Sequence, residues 1–345
     1  MEQYDYGNSP KSIGEILPSV FAKLETDAEK ASLSSLFEGM WKYREQVDFD
    51  ARPSDFREFA SQIPGTVLTI IDNKAFLHLG NVINAGADGV IVEAYATASG
   101  VRLDRDLAIK IHAPFRLGVD ELPVDDASPF DPHDDELRKN AAYKETLTYE
   151  VLKQYNLGCI PAHVVSRTAV DPSNPLIRMP FIVLEKLEGK TFDQFLKGVS
   201  PTAEDFREVL AITQQWITAN EKIRNIGILL DDYHPDNVFL AGRAGSAPTV
   251  KLLDFTRVTF LYGAGKSPSE IQRAIFSADQ DFGEGVTFLV ALLEEQMPRN
   301  AHVRAFAAAA EALRKGEMSL AEFSRSVDIQ LKLAGVVGWD TEPSP

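Results

Sequence analysis

A single cysteine, Cys159, in 345 residues excludes an internal disulfide framework and suits a reducing compartment. Standing alone, it reads as a core residue rather than a nucleophile. Basic residues are also in short supply: 35 Lys and Arg against 51 Asp and Glu leave a formal charge of −16. Such a surface repels phosphate backbones and anionic lipid, so neither nucleic acid nor a membrane is expected as a partner. No apolar run approaches the ~20 residues that span a bilayer. The opening Met1-Glu2-Gln3-Tyr4-Asp5 lacks the basic-then-apolar order of a signal peptide. The six histidines are scattered, without Cys/His ligand spacing, which argues against a zinc-type centre. Together these absences predict a soluble, cytoplasmic protein.

What is present is a chain 44% hydrophobic and 25% charged, enough to build a large core without staples. Residues 1–65 carry two stripes near the 3.6-residue period. The first is Ile13, Ile16, Leu17, Phe21 and Leu24; the second is Leu33, Leu36, Phe37, Met40 and Trp41. They predict a helical N-terminal extension, closed by Pro64-Gly65, whose stripes are packing surfaces.

The period then changes. Thr66–Ile71, Ala75–Ile83, Val90–Ala96 and Leu107–His112 predict an antiparallel sheet, with a hairpin turn at Asp72-Asn73-Lys74. An acidic insertion over about 113–134 precedes a helix from about Asp134 to Tyr155, and strands follow at Ala162–Ser166 and Phe181–Leu184. Beyond Gly189 the pattern is mainly helical. Ser200-Pro201 predicts an N-cap with Pro at the first helical position, and Phe206, Val209, Leu210, Ile212, Trp216 and Ile217 a buried helix face. Val286–Leu293 predicts an apolar helix, Ala305–Arg314 a helix ending at Gly316, and Ser319 with Glu322 a capping box. The expected organisation is an extension (1–65), a β-rich unit (66–188), a helical unit (189–339) and a frayed tail (340–345).

Four short motifs occur in a definite order. Asn84-Ala85-Gly86-Ala87-Asp88-Gly89 lies between two predicted strands, where glycines let backbone N–H groups approach phosphate oxygens; a plain hairpin turn is the simpler reading. Leu107-Ala108-Ile109-Lys110-Ile111 places a lysine inside an apolar strand, costly unless an anion meets it or the side chain snorkels to solvent. Asp232-Tyr233-His234-Pro235-Asp236-Asn237 can present a carboxylate that orients a hydroxyl and an amide oxygen that ligates Mg²⁺, although these residues also favour ordinary turns. Val250-Lys251-Leu252-Leu253-Asp254 is an apolar strand ending in a carboxylate, a donor suited to a hard cation or simply a solvated strand end.

The order of these motifs resembles the protein-kinase superfamily over roughly residues 76–295. The resemblance implies an α+β, two-lobed protein-kinase-like fold with a β-rich N-lobe and a helical C-lobe, using ATP and Mg²⁺. Asn84, Gly86 and Gly89 then correspond to the phosphate-binding loop, and Ala108 and Lys110 to the third-strand motif. Asp232 and Asn237 match the catalytic-loop Asp and Asn, with Asn237 and Asp254 as metal ligands. Glu145, sharing a helical face with Tyr149 and Leu152, is the expected partner of Lys110, with Glu150 as the alternative. Leu184 would stand at the back of the adenine pocket, with the backbone of Glu185 and Leu187 receiving the base. Asp281-Phe282-Gly283 literally spells the metal-binding motif, but it lies 44 residues beyond Asn237 where Asp254 lies 17 beyond. Asp281 is therefore assigned the structural role of holding the catalytic-loop backbone before a buried helix.

The departures concern the acceptor more than the nucleotide. Asn84 replaces the first loop glycine, Leu230-Asp231 the usual His-Arg, and Thr256 the glycine after Asp254-Phe255. His234-Pro235 is more usual in kinases of small molecules. The leading expectation is an atypical protein kinase that transfers the γ-phosphoryl group to a protein hydroxyl. A small-molecule kinase similar to aminoglycoside or choline phosphotransferases is the second reading, and a pseudokinase or scaffold the third.

Overall fold

The computed structural model describes residues 33–46, 60, 63–71, 75–86, 88–98, 101–116, 135–171, 173–174, 176–200, 202–242, 247–261, 266–297 and 300–334. The stripe Ile13–Leu24, the turn at 72–74, most of the acidic insertion and the tail 340–345 lie outside them. The chain divides into two units: residues 1–156 with 162–187, and residues 157–161 with 188–345.

The first unit opens with α1 (Leu33–Gln46) and a run of antiparallel strands, β1 (Val67–Ile71), β2 (Ala75–Gly86), β3 (Gly89–Ala98), β4 (Val101–His112) and the short β5 (Phe115–Arg116). Helix α2 (Asp135–Tyr155) follows, then β6 (His163–Val170) and β7 (Ile177–Glu185). The strands form one sheet in the order β1-β2-β3-β4-β7-β5, with β6 on β7. Alternation decides which side is dry. Leu107, Ile109 and Ile111 of β4 join Leu77, Leu79, Val90, Val92, Phe181 and Val183 in one core cluster. Leu36, Phe37 and Met40 of α1 complete it, as their helical spacing predicts. Arg44 is tied down as well: Nη1 donates to the Pro114 carbonyl at 3.0 Å while the guanidinium lies over the Trp41 ring.

The second unit carries β8 (Gly189–Thr191), α3 (Phe192–Leu196), α4 (Ala203–Asn225), β9 (Ile228–Leu230), a 3₁₀ turn (Pro235–Asn237), β10 (Val238–Ala241), β11 (Thr249–Leu252) and β12 (Val258–Phe260). Helices α5 (Pro268–Gln296), α6 (Ala301–Arg314) and α7 (Leu320–Leu333) complete it. Aromatic rings fill its centre: Trp216 lies 4.8 Å from Phe282, which meets Tyr233 edge-on at 5.1 Å. Residues 157–161 join this unit through β11, whose Leu252 amide donates to the Cys159 carbonyl at 2.8 Å. Cys159 is buried, and burial raises its thiol pKa, so it is inert packing material.

Several boundaries differ from the sequence expectation, two of them at helix starts set by capping. The N-cap of α4 is Thr202, not Ser200: its hydroxyl accepts from the Asp205 amide, and Asp205 returns a carboxylate to the Ser200 amide. The apolar stretch Val286–Leu293 is only the second half of α5, which begins eighteen residues earlier, at Pro268, behind a Ser267/Glu270 capping box. Gly283 and Gly285 do not break this helix. A Cβ on Gly283 would sit 2.5 Å from the Arg314 amide nitrogen, so the glycine is where α6 comes closest.

Candidate active site

In the first unit, Lys110 and His112 share the face of β4 opposite Ile109 and Ile111. Helix α2 presents Glu145 to that face because its buried positions, Ala141, Ala142, Glu145, Tyr149 and Leu152, recur at helical spacing. Lys110 Nζ lies 3.0 Å from Glu145 Oε1 and 2.8 Å from Oε2. Glu145 is fully buried and Lys110 is 9% exposed. Glu150, the alternative partner, is on another face, 3.7 Å from His163 Nε2. A buried ion pair is a poor source of stability, because desolvation of both charges offsets their attraction. Its presence therefore asks for a purpose beyond holding α2 in place.

The glycine motif is the β2–β3 hairpin, with Gly86 opposite Gly89 and Asn84 opposite Ile91. Its two glycines have different reasons. Gly89 has φ 154°, and a Cβ there would strike the Ile111 carbonyl at 2.1 Å, so strand packing alone demands glycine. At Gly86 the same construction meets nothing within 4 Å, leaving its backbone approachable. Across β4 and β7, Ala108 pairs with Leu184 and Lys110 with Ile182. Leu184 is buried, and Glu185 closes on Ala162 twice, its amide donating to the Ala162 carbonyl and Oε1 accepting from the Ala162 amide, both at 2.9 Å. Leu187, half-buried, ends this unit.

The remaining expected residues belong to the second unit. Strands β10 and β11 pair from Val238↔Leu252, and the ladder extends one step further as the Leu253 amide donates to the Asn237 carbonyl at 2.8 Å. Asn237 and Asp254 thus stand at the same end of one hairpin, although seventeen residues separate them in sequence. The Asn237 side-chain nitrogen is turned to the Asp232 carbonyl, a long 3.5 Å contact, which presents the amide oxygen on the opposite side. Asp254 has φ 59°, a left-handed conformation that costs about 1 kcal/mol outside glycine and is tolerated best by Asp and Asn. Its Oδ1 accepts from the Thr256 amide at 3.1 Å and from the Thr256 hydroxyl at 2.6 Å. Thr256, where the sequence resemblance expects glycine, therefore helps to orient this carboxylate. Carboxylate and amide oxygens are the donors that Mg²⁺ takes, and it needs only one or two from protein beside substrate phosphates.

Asp232 is half-buried, and its carboxylate makes no hydrogen bond among the described residues. Its loop is held by neighbours. Tyr233 is buried, its hydroxyl donating to Asn220 at 3.0 Å, and burial raises its pKa. His234 caps the 3₁₀ turn through Asp236 and rests against the Phe288 ring at 4.6 Å. Asp281 lies within α5, not before a helix, and holds no loop backbone group among the described residues. Burial, then the charges of Asp231 and Glu284, push its pKa up to about 6. Asp279, two residues earlier, ties α5 to other helices rather than to the loop: it pairs with Arg224 of α4 at 2.6 Å and accepts from the Leu320 amide of α7 at 3.3 Å.

A sheet with one helix inserted between its strands, a buried lysine–glutamate pair, and then a helical unit carrying the Asp–Asn loop and a carboxylate-ended hairpin complete the pattern. The fold is protein-kinase-like. No family model matches the chain, and no curated protein matches it. Among solved structures, the kinase domain of Mycobacterium tuberculosis PknI is 18% identical, with a TM-score of 0.47, covering 74% of this chain and 96% of that one. A doubly substituted form of the same domain gives 17% identity and a TM-score of 0.48, covering 74% of this chain and 95% of that one. Among the described residues no helix is long and apolar enough to cross a membrane.

Proposed function

We propose that the chain is a Mg-ATP-dependent phosphotransferase acting on an alcohol. The observation that carries this reading is the buried Lys110–Glu145 pair, a cation held in place by a carboxylate with no exposure of its own. In the first unit, Lys110 contributes the charge that binds α/β-phosphates, Glu145 keeps it extended, and the hairpin at Gly86, where a Cβ would meet nothing within 4 Å, leaves phosphate oxygens room to approach. Asn84 and Gly89 frame that hairpin, while Ala108, Leu184 and the backbone of Glu185 and Leu187 are assigned to adenine. In the second unit, Asn237 and Asp254 are assigned to Mg²⁺. The metal, when bound, neutralises charge on the transferring phosphoryl group. Asp232 orients the acceptor hydroxyl and takes its proton as the new O–P bond to the γ-phosphorus forms and the bond from that phosphorus to the β-phosphate oxygen breaks, releasing ADP.

A small-molecule acceptor is favoured over the protein hydroxyl by one observation. Only residues 255–267 separate Asp254 from α5, and within them β12 is paired with β9. That leaves little chain on which a polypeptide acceptor could lie extended. The experiment is label transfer from γ-labelled Mg-ATP into a source-cell extract, with Asp232→Asn alongside. Label in the small-molecule fraction, lowered about 10²-fold or more in the variant, supports this reading. Label in protein restores the protein-kinase reading. An undiminished rate in Asp232→Asn removes that residue from the role, and no transfer together with no ATP binding leaves a scaffold.

A further inference from the structure

We propose, building on the phosphotransfer reading, that His112 is a positioning residue that shares the Glu145 carboxylate with Lys110 and thereby fixes where the Lys110 ammonium stands. Nothing in the Ala-Ile-Lys motif calls for a histidine two residues on. The period of β4 nevertheless places both side chains on one face, and Glu145 meets both. His112 Nε2 lies 3.1 Å from Glu145 Oε2, the oxygen that Lys110 Nζ approaches at 2.8 Å. Both partners are nearly sealed from water, with side-chain exposures of 2% and 1%. An ionised carboxylate can only accept, so the Nε2 position must carry a hydrogen to stand there. The approach is off the axis of a good hydrogen bond, and Nε2 has no formed one among the described residues. The attraction is therefore mainly electrostatic, and burial strengthens it.

The backbone holds His112 where this contact is made. His112 pairs with Gly89 across β3 and β4, and Gly89 packs so closely that a Cβ would come within 2.9 Å of the His112 Cα. The imidazole thus projects from a rigid strand, while Glu145 and Lys110 are long and have rotamers to lose. A positively polarised N–H on a fixed strand, facing the same carboxylate oxygen as the lysine, restricts how far carboxylate and ammonium can move together. The consequence is felt in nucleotide affinity rather than in folding.

The test compares His112→Phe, which keeps the ring volume without the donor, with His112→Gln, which keeps an N–H donor. The full chain is titrated calorimetrically with the magnesium complex of the non-hydrolysable imido analogue of ATP, with Lys110→Ala as reference and thermal unfolding of each variant. His112→Phe is expected to bind about tenfold more weakly, the loss of one polar contact to a carboxylate, while His112→Gln returns to within about twofold of the original. Should His112→Phe fail to fold, His112→Leu is titrated by the same criteria. Phe binding as tightly as His, or Phe and Gln weakening alike, overturns the proposal. Wild-type chain that does not bind the analogue overturns the phosphotransfer reading itself. Wild-type binding that Lys110→Ala leaves unchanged removes the lysine, and with it the role of His112.

Discussion

The carbonyl oxygen of Tyr233 occupies the space that a side chain on Gly285 would need, 1.8 Å from where its Cβ would stand. The loop that carries Asp232 therefore lies directly on the backbone of α5, with no side chain between them. The glycine is a contact surface for the backbone of the Asp232 loop, and the adjacent Tyr233 and Phe282 rings close the same joint.

Gly285→Ala is accordingly expected to push the loop off the helix. Overpacking of this kind costs about 1–3 kcal/mol, and it displaces the residue next to Asp232. Chemical denaturation and a transfer assay on the same preparation check this. Unchanged stability and unchanged transfer would mean that the loop relaxes freely.

Asp254→Asn separates the proposed metal binding from backbone strain. Asparagine tolerates the left-handed conformation and keeps an oxygen for the Thr256 amide and hydroxyl, so stability is expected to move by no more than about 0.5 kcal/mol. The carboxylate charge is lost, and Mg²⁺-dependent transfer is expected to fall by about 10²-fold or more. A titration of activity against Mg²⁺ shows whether added metal recovers it. A large drop in melting temperature would instead make the carboxylate structural.

Asp281 is held protonated more readily in the folded chain than in the unfolded one, with its pKa raised from 3.8 to about 6 by burial and by Asp231 and Glu284. The folded state therefore binds more protons across that window, and the residue costs stability as pH rises from about 4 to about 6. Below it both states are protonated and the cost is gone. Asp281→Asn is expected to raise the melting temperature at neutral pH, with the gain disappearing near pH 4. A variant less stable at neutral pH would assign the carboxylate a partner that the fold does not display.

His163 works in the other direction. Its side chain is sealed, its Nε2 meets the Ser166 hydroxyl at 2.8 Å, and burial first, then Lys153 and Arg167, lower its pKa to about 3. Glu150 at 3.7 Å would favour the imidazolium, but makes no hydrogen bond with it, and burial outweighs that charge. The unfolded chain takes up a proton below about pH 6.5 that the folded chain refuses, so stability present above that value is lost as pH falls towards 3. His163→Gln should flatten this acid limb in urea midpoints, at a cost of about 1 kcal/mol at neutral pH from the altered Ser166 contact. A limb of unchanged slope would place the titrating group elsewhere.

The strands of the first unit were legible because alternation has a period of two and because half of each strand faces one dry core. Their lengths were not. Val101–Arg105 and Ile177–Pro180 carry charged residues or proline, and only sheet pairing extends the strands through them. The Lys110 motif and the Asp232–Asn237 loop could be read from spacing, as could Glu145 from its place on the helical face. The start of α5 could also have been read, since Ser267-Pro268 with Glu270 is a helix-opening pattern. It was hidden by the glycines at 283 and 285, which look like breaks until a neighbouring backbone is seen to need the room.

By itself the sequence determined the α+β class, the order of a β-rich unit before a helical one, and the residue types able to meet phosphate and Mg²⁺. These follow from local periodicity and from chemistry carried on short segments. Tertiary structure alone decided that His112 stands beside Glu145, that Asp279 ties α5 to its neighbouring helices while Asp281 holds no loop backbone among the described residues, and that Thr256 meets Asp254. Each of those depends on which side chain a neighbouring element brings within about 3 Å, the range over which hydrogen bonds form. Separation along the chain does not encode that distance; packing does.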